Sequence, residues 1–442
     1  LPSLDPTLKR CLMLAKKDTR EILASRAYWL MLALLGPLVG HAFLTAVETY
    51  AEASRGGALP QGLSPLDGIL VPTWGAYDLA ATLFFPFVCI RLVADERERG
   101  AWSLLLQGPE KASRMLGVKF AVLQAAWMVA WIPGFIAMLM WRGYGGHINA
   151  LELGNLLTGY ALRGALTIAV AMAAAAVSRG AASAAIVCLG FTVGSWALDF
   201  AGAVHGGWIE KAAAFTPTNA LRSFETGLFA PSKVLLFIVA SEMGLALATI
   251  WMRLGWRARQ RVIATAIMAV VFGIVAVAIA GIPASMETDV SEDRRNSFPP
   301  ADQALLATIH DPLRVTVHLA PEDPRLTDLE RNVLAKLARA MPDFEEVRTS
   351  ESRTGLFDRN SYGEIWYELA GKRTMSRSTT EAVVLEVIYK LAGKSPPPRA
   401  DALAYSGYPL DAQPRFVTPL LIVLWPALIA AACWFTVLRR RA

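Results

Sequence analysis

Ala94-Asp95-Glu96-Arg97-Glu98-Arg99-Gly100-Ala101-Trp102-Ser103-Leu104-Leu105-Leu106 follows directly on an apolar segment, 79–93, and precedes another, 115–141. Dense alternation of acids and arginines does not cross a bilayer, where each charge at mid-depth costs roughly 3 kcal/mol. The stretch is therefore expected to form a short helix on the aqueous side of a membrane, held there by Trp102 and the three leucines. Charged on one flank and apolar on the other, such a helix suits the docking of a soluble partner beneath a membrane protein.

Working outward, 54% of the 442 residues are hydrophobic and 18% are charged, below the quarter or so usual in soluble domains. A span needs about 20 mostly apolar residues. Eight segments qualify: 28–48, 73–93, 115–141, 155–178, 182–202, 232–252, 262–282 and 416–437. The fold class is thus a polytopic α-helical membrane protein with about eight transmembrane helices. Lys9, Arg10, Lys16, Lys17, Arg20 and Arg26 precede the first span, and Arg97, Arg99, Lys111, Arg114 and Lys119 follow the second. Arg179, the group Arg253, Arg257, Arg259 and Arg261, and the terminal Arg439-Arg440-Arg441 fall on the same side when eight spans alternate. By the positive-inside rule that side is cytoplasmic, with both termini there. The net charge of +6 then reflects topology, and no nucleic-acid partner is implied.

The regions follow from this order. Residues 1–27 contain an amphipathic cytoplasmic helix whose Leu8, Leu12, Ala15, Thr19, Ile22 and Leu23 recur at helical spacing, a pattern suited to the headgroup plane of the lipid membrane. Residues 28–253 form a six-span unit, and 254–282 a basic link with the seventh span. Residues 283–415 form an extracytoplasmic α/β domain between the last two spans, and 416–442 the eighth span with a basic tail. Within 203–231, Pro217 amid small polar residues is expected to break any helix. In the enclosed domain, strands are predicted at 313–319, 345–349 and 362–369, and helices at 326–340 and 379–391, a β-α-β-β-α order.

Chemistry-bearing motifs are few. No Walker-type Gly-x-x-x-x-Gly-Lys-Ser/Thr run, Gly-x-Ser-x-Gly, His-Glu-x-x-His or Cys-x-x-Cys occurs, so energised work draws on another subunit or an ion gradient. Cys11, Cys89, Cys188 and Cys433 lie in or beside apolar segments and give neither a disulfide framework nor zinc spacing. No metal site or cofactor is expected in this chain: His41 in the first span reads as a packed polar residue, and His310, Asp311 and His318 as solvent-exposed polarity. Arg163, Asp199 and Glu242 fall within spans and are functional candidates because each needs a partner or a wet cavity. Against that, Arg163 and Glu242 are also expected as a structural pair between helices, and Asp199 as a side chain reaching outer water.

Glu96-Arg97-Glu98-Arg99-Gly100 with Leu104-Leu105-Leu106 and Pro109 resembles the run that follows the second span in permease subunits of type-2 ABC exporters, with Trp102-Ser103 where that family usually has Leu-Glu. The entry segment 14–22 and Phe215-Thr216-Pro217 with Phe224 and Gly227 resemble the same family. Residues 291–299 with 311–317 are similar to the auxiliary subunit of gliding-motility-type ABC transporters, so the chain looks like a permease fused to a truncated auxiliary, periplasmic domain. The resemblance implies a non-catalytic permease in a bacterial inner membrane, paired with a second copy of itself and with a cytoplasmic ABC ATPase dimer carrying ATP and Mg. It also implies an ATPase-coupling role for Glu96, Arg97, Glu98, Arg99, Gly100, Trp102 and Leu105, and admits an extracytoplasmic protein partner. The alternative is an ATPase-coupled scaffold for motility or envelope assembly without a transported substrate.

Overall fold

The computed structural model describes residues 6–56, 63–105, 107, 111–205, 207–320, 323–348, 362–398 and 405–438. An amphipathic helix α1 (Pro6–Leu23) leads into α2 (Arg26–Arg55), α3 (Leu66–Glu98), the short α4 (Ala101–Leu105) and α5 (Ala112–Gly143). Then come α6 (Ala150–Val177), α7 (Ala181–His205), α8 (Gly207–Ala213), α9 (Pro217–Glu225), α10 (Pro231–Met252) and α11 (Ala258–Ala280). A sheet domain follows, and the last helix, α15, covers 418–438. Eight of these helices are long and apolar enough to cross a membrane: α2, α3, α5, α6, α7, α10, α11 and α15. Their alternation puts 95–105, 111–114, 178–180 and 253–257 at one end of the bundle, the basic end. The connections 63–65, 144–149 and 207–230 lie at the other, with the sheet domain.

The most enclosed helices are α3 and α6; α11 and α15 are the least. Around this pair stand α2, α5, α7 and α10. The last helix returns to the first span: a Cβ on Gly36 would meet the Trp425 ring at 2.1 Å, and one on Gly40 would meet the Leu421 side chain at 2.8 Å. Only glycine permits that approach. Trp425 Nε1 donates to the Leu32 carbonyl at 2.6 Å in the same contact.

The sheet domain contains helices α12 (Pro300–Leu306), α13 (324–340) and α14 (Glu381–Ala392). Its four strands are β3 (Leu313–Val317), β4 (Phe344–Arg348), β5 (Ile365–Leu369) and β6 (Lys372–Ser376), in spatial order β4-β3-β5-β6. β3 and β4 are parallel and joined through α13, while β5 is antiparallel to β3 and β6 to β5. Alternate residues Val315, Val317, Ile365 and Tyr367 meet Leu329, Val333, Leu337, Val384 and Ile388 in one core, as the period-2 and 3.6 patterns require. A two-stranded ribbon ties the domain to the bundle: β1 (Leu228–Phe229) pairs with β2 (Thr288–Asp289).

Three local expectations are corrected. The charged run is not a helix of its own: Asp95–Glu98 are the last turn of α3, Gly100 turns the chain at φ +71°, and only Ala101–Leu105 form a separate helix. Helix is interrupted at 214–216, just before Pro217, as expected, but Pro217 also opens a new helix, α9. Thr216 Oγ1 caps α9 by accepting from Asn219 N at 3.2 Å, and Pro217 sits in the first turn, where its missing N–H costs nothing. The sheet has a fourth strand, β6, because Ala370 (φ +50°) and Gly371 (φ +74°) make a two-residue hairpin turn.

Candidate coupling site at the basic end

The sequence around residue 96 folds into a junction of helices. Glu96 lies on the face of α3 that turns inward and is 5% exposed. Lys119 from α5 reaches Glu96 Oε1 and Asp18 Oδ1, both at 2.9 Å, and Lys17 from α1 also donates to Glu96. Asp18 and Lys119 are as buried as Glu96, so two acids and two lysines form a neutral cluster joining α1, α3 and α5. Asp18, Glu21 and Glu96 offer carboxylate oxygens within 4.8 Å of one another, and Lys17 lies 3.6 Å from the half-exposed Glu21 as well. Burial pushes the Asp18 carboxyl above its ordinary range, with Lys119 opposing the shift. For Lys17 burial is the largest single effect and pulls down, but Glu96, Glu21 and Asp18 together outweigh it and the ammonium is raised.

The next residues attach the turn to two further helices. Arg97 Nη1 donates to the carbonyls of Ala175 (3.1 Å) and Ala176 (2.8 Å), in the last turn of α6, where carbonyls lack intrahelical partners and a cation is favoured. Trp102 is buried and donates Nε1 to the Met252 carbonyl at the end of α10, at 3.0 Å. Glu98 and Arg99 remain exposed, as does Leu104; Arg91, Asp95 and Arg99 make a ladder along α3 at 3.6 and 3.3 Å. The seven residues singled out in the sequence thus divide. Glu96, Arg97 and Trp102 are internal fastenings, Gly100 is the turn, and Glu98 and Arg99 face water. The Leu105 side chain, Leu106, Pro109 and the tail Arg439–Arg441 lie outside the described residues.

The intramembrane candidates do not converge. Arg163 is buried and its partner is Asp78 of α3, at 3.8 Å, with Thr82 donating to Asp78 at 3.3 Å. This corrects the expected Arg163–Glu242 pair: Glu242 is exposed on α10, and the inward face of that helix carries Phe237, Ser241, Gly244 and Ala248 instead. Asp199 pairs with Arg222 at 3.1 Å and accepts from Thr216. Two residues escaped the sequence reading. Asp78 is a lone acid in an apolar segment opposite the only arginine of the fourth span, and Lys119 was counted among loop bases although apolar residues surround it.

At the far end, the entry segment of the sheet domain is bonded to the spans. Glu292 N donates to Glu152 of α6 at 2.7 Å, and Arg295 pairs with Asp67 at the start of α3. The Glu292 carboxylate lies between His147 (3.0 Å) and the Tyr408 hydroxyl (2.6 Å), whose rings stack at 3.8 Å. Comparison of this chain with protein-family models, curated proteins and solved structures finds no match.

Proposed function

We propose that this chain is the permease subunit of an ATP-binding-cassette exporter, a multi-pass protein of a bacterial inner membrane with its basic end in the cytoplasm and its sheet domain outside. The observation that carries the reading is the turn at 95–104: it presents Glu98, Arg99 and Leu104 to water while Glu96, Arg97 and Trp102 are fastened to α1, α5, α6 and α10. A soluble motor that moves this turn would move four helices at once. A separate ATPase dimer, with ATP and Mg, supplies that motion, and two copies of the chain make the assembly two-fold. The bonds between the entry segment and α3 and α6 support a second reading, in which the stroke is passed outward as force for motility or envelope assembly without a transported substrate.

The test is co-purification of the detergent-solubilised chain with its soluble ATPase, followed by hydrolysis assays on wild type and the Glu98→Ala/Arg99→Ala variant. Both side chains are exposed, so the variant keeps its fold and loses stimulation of ATP hydrolysis. Undiminished stimulation, or a chain that purifies without any nucleotide-binding partner, counts against the permease reading.

A further inference from the structure

A polar pocket of about 290 Å3 opens at the basic end, between α1, the start of α2 and the last turns of α3. Ile22, Val88 and Leu92 supply its apolar lining, and charged side chains of both signs supply most of the rest. Two of the lining residues leave a buried polar atom without a partner, Ser25 Oγ and Glu96 Oε2. Both residues are 5% exposed. Ser25 precedes α2 without capping it, and Glu96 meets Lys17 and Lys119 through Oε1. A buried carboxylate oxygen left unbonded is costly, so Oε2 calls for an N–H donor.

The charges of the pocket balance in sum but not in their pairings. Asp18 and Glu96 balance Lys17 and Lys119, and Glu21 is a further acid, 3.6 Å from the same Lys17. Arg91 and Arg99 share a single carboxylate, Asp95, at 3.6 and 3.3 Å. Among the described residues, the lining thus has an acid to spare beside α1 and an arginine to spare on α3. A ligand of one sign would meet one of these and leave the other; a zwitterion meets both.

The same face of α3 is apolar toward the bilayer. Phe84 and Phe87, two turns and one turn before Arg91, are 38% and 42% exposed and share its side of the helix. Because α3 is one of the helices able to span a membrane, these rings face hydrocarbon directly beneath the charges. The pocket is also smaller than the ~300–1,000 Å3 of drug-sized sites, which suits a headgroup whose tails lie outside it.

We propose that this pocket binds the phosphoethanolamine headgroup of a phospholipid from the leaflet at the basic end. The ammonium donates to Glu96 Oε2 and pairs with Glu21, the phosphate lies at Arg91 and Arg99, and the acyl chains run along Phe87 and Phe84. A choline headgroup lacks the N–H donors that Oε2 needs, and a glycerol headgroup lacks the cation. The proposal rests on the eight helices crossing a bilayer and is independent of any ATPase.

The test uses the full chain reconstituted in vesicles with equal trace amounts of phosphatidylethanolamine, phosphatidylcholine or phosphatidylglycerol. Their acyl chains are identical and carry a photoreactive diazirine, and adducts are mapped by mass spectrometry. Resistance of the reconstituted protein to carbonate extraction checks the span reading separately. Expected are adducts concentrated at Phe84 and Phe87, with phosphatidylethanolamine ahead of the other two by roughly tenfold, the scale of one charge-assisted contact. Glu21→Gln narrows that lead. Arg91→Gln lowers labelling at both rings by all three lipids, Arg91→Lys preserves it, and no variant alters labelling of the exposed face of α11. Equimolar soluble phosphoethanolamine, which lacks the tails, leaves the adducts in place. Equal labelling by the three lipids in wild type, adducts no denser at Phe84 and Phe87 than on α11, a lead undiminished in Glu21→Gln, or displacement by soluble phosphoethanolamine would overturn the proposal.

Discussion

Lys119→Met isolates the central claim about the basic end, that Glu96 belongs to a buried ionic cluster and is not a surface contact. In wild type the Lys119 ammonium is 2.9 Å from both Asp18 and Glu96, and its side chain is 3% exposed. Methionine fills a similar volume but leaves two buried carboxylates to share Lys17, whose side chain is 39% exposed. Removing one partner of a buried pair costs about 3–5 kcal/mol because the remaining charge has neither water nor counterion. Lys17 still contacts Glu96, so the expected loss is at the lower end, about 3 kcal/mol. The assay is unfolding of the detergent-solubilised chain in graded sodium dodecyl sulfate, followed by tryptophan fluorescence. The compensating variant Asp18→Asn/Glu96→Gln/Lys119→Met removes the stranded charges and recovers most of the loss. Burial already holds the Asp18 carboxyl high, and losing Lys119 raises it further, so protonation at mildly acidic pH shrinks the deficit and alkaline pH widens it. A Lys119→Met effect within the ~1 kcal/mol of a surface pair, or a triple variant no more stable than the single one, would refute the reasoning.

Arg163→Met leaves Asp78 alone among apolar helices and destabilises by about 3 kcal/mol; Arg163→Met/Asp78→Asn recovers most of this, and the same dodecyl sulfate titration reads both. In the sheet domain, Arg325 beside Asp323 holds its carboxyl down to about 2, below the unfolded value near 3.9. That contribution is complete above the unfolded value and is lost as pH falls toward 2. Asp323→Ala therefore flattens the acid dependence of unfolding, and it also removes the cap on Arg325 N (2.9 Å), worth about 1 kcal/mol. Circular dichroism of the full chain against pH checks it.

The apolar helices were legible because hydrocarbon-length apolar runs leave little choice of structure, and the bases between them marked one end. The sheet domain was legible where period 2 was strict, as at Leu313–Val317, and missed at Lys372–Ser376, where Arg373 and Met375 alternate with Lys372, Thr374 and Ser376 on an edge strand and no apolar stripe marks it. The turn that creates this strand, Ala370-Gly371, lacks the usual Asn or Asp. At the basic end the residues were legible and their roles were not. Glu96 and Glu98 are the same chemistry two positions apart, and a helix turns one inward and the other out. Which one is buried depends on where Lys119 of another helix arrives, a tertiary fact.

The two most enclosed helices are joined at three levels. At the basic end Arg97 of α3 caps the last carbonyls of α6. Midway Asp78 meets Arg163. At the sheet end Asp67 and Glu152 hold Arg295 and the Glu292 amide of the same entry segment. That segment is itself rigid: Asp289 accepts from Ser291 N (3.0 Å), Asn296 N (3.1 Å) and the Ser297 hydroxyl (2.8 Å). From Asp67 to Glu96 the helix rises ~44 Å, and for α3 to slide past α6 polar fastenings at three depths would have to break together. The sheet domain's covalent links, by contrast, run through α11 and α15, the least enclosed helices of the bundle. The domain is therefore held to the bundle by polar bonds to α3 and α6 and by the β1–β2 ribbon, and not by its covalent links alone; under the proposed exporter reading, a stroke at the basic end would reach it through that pair of helices.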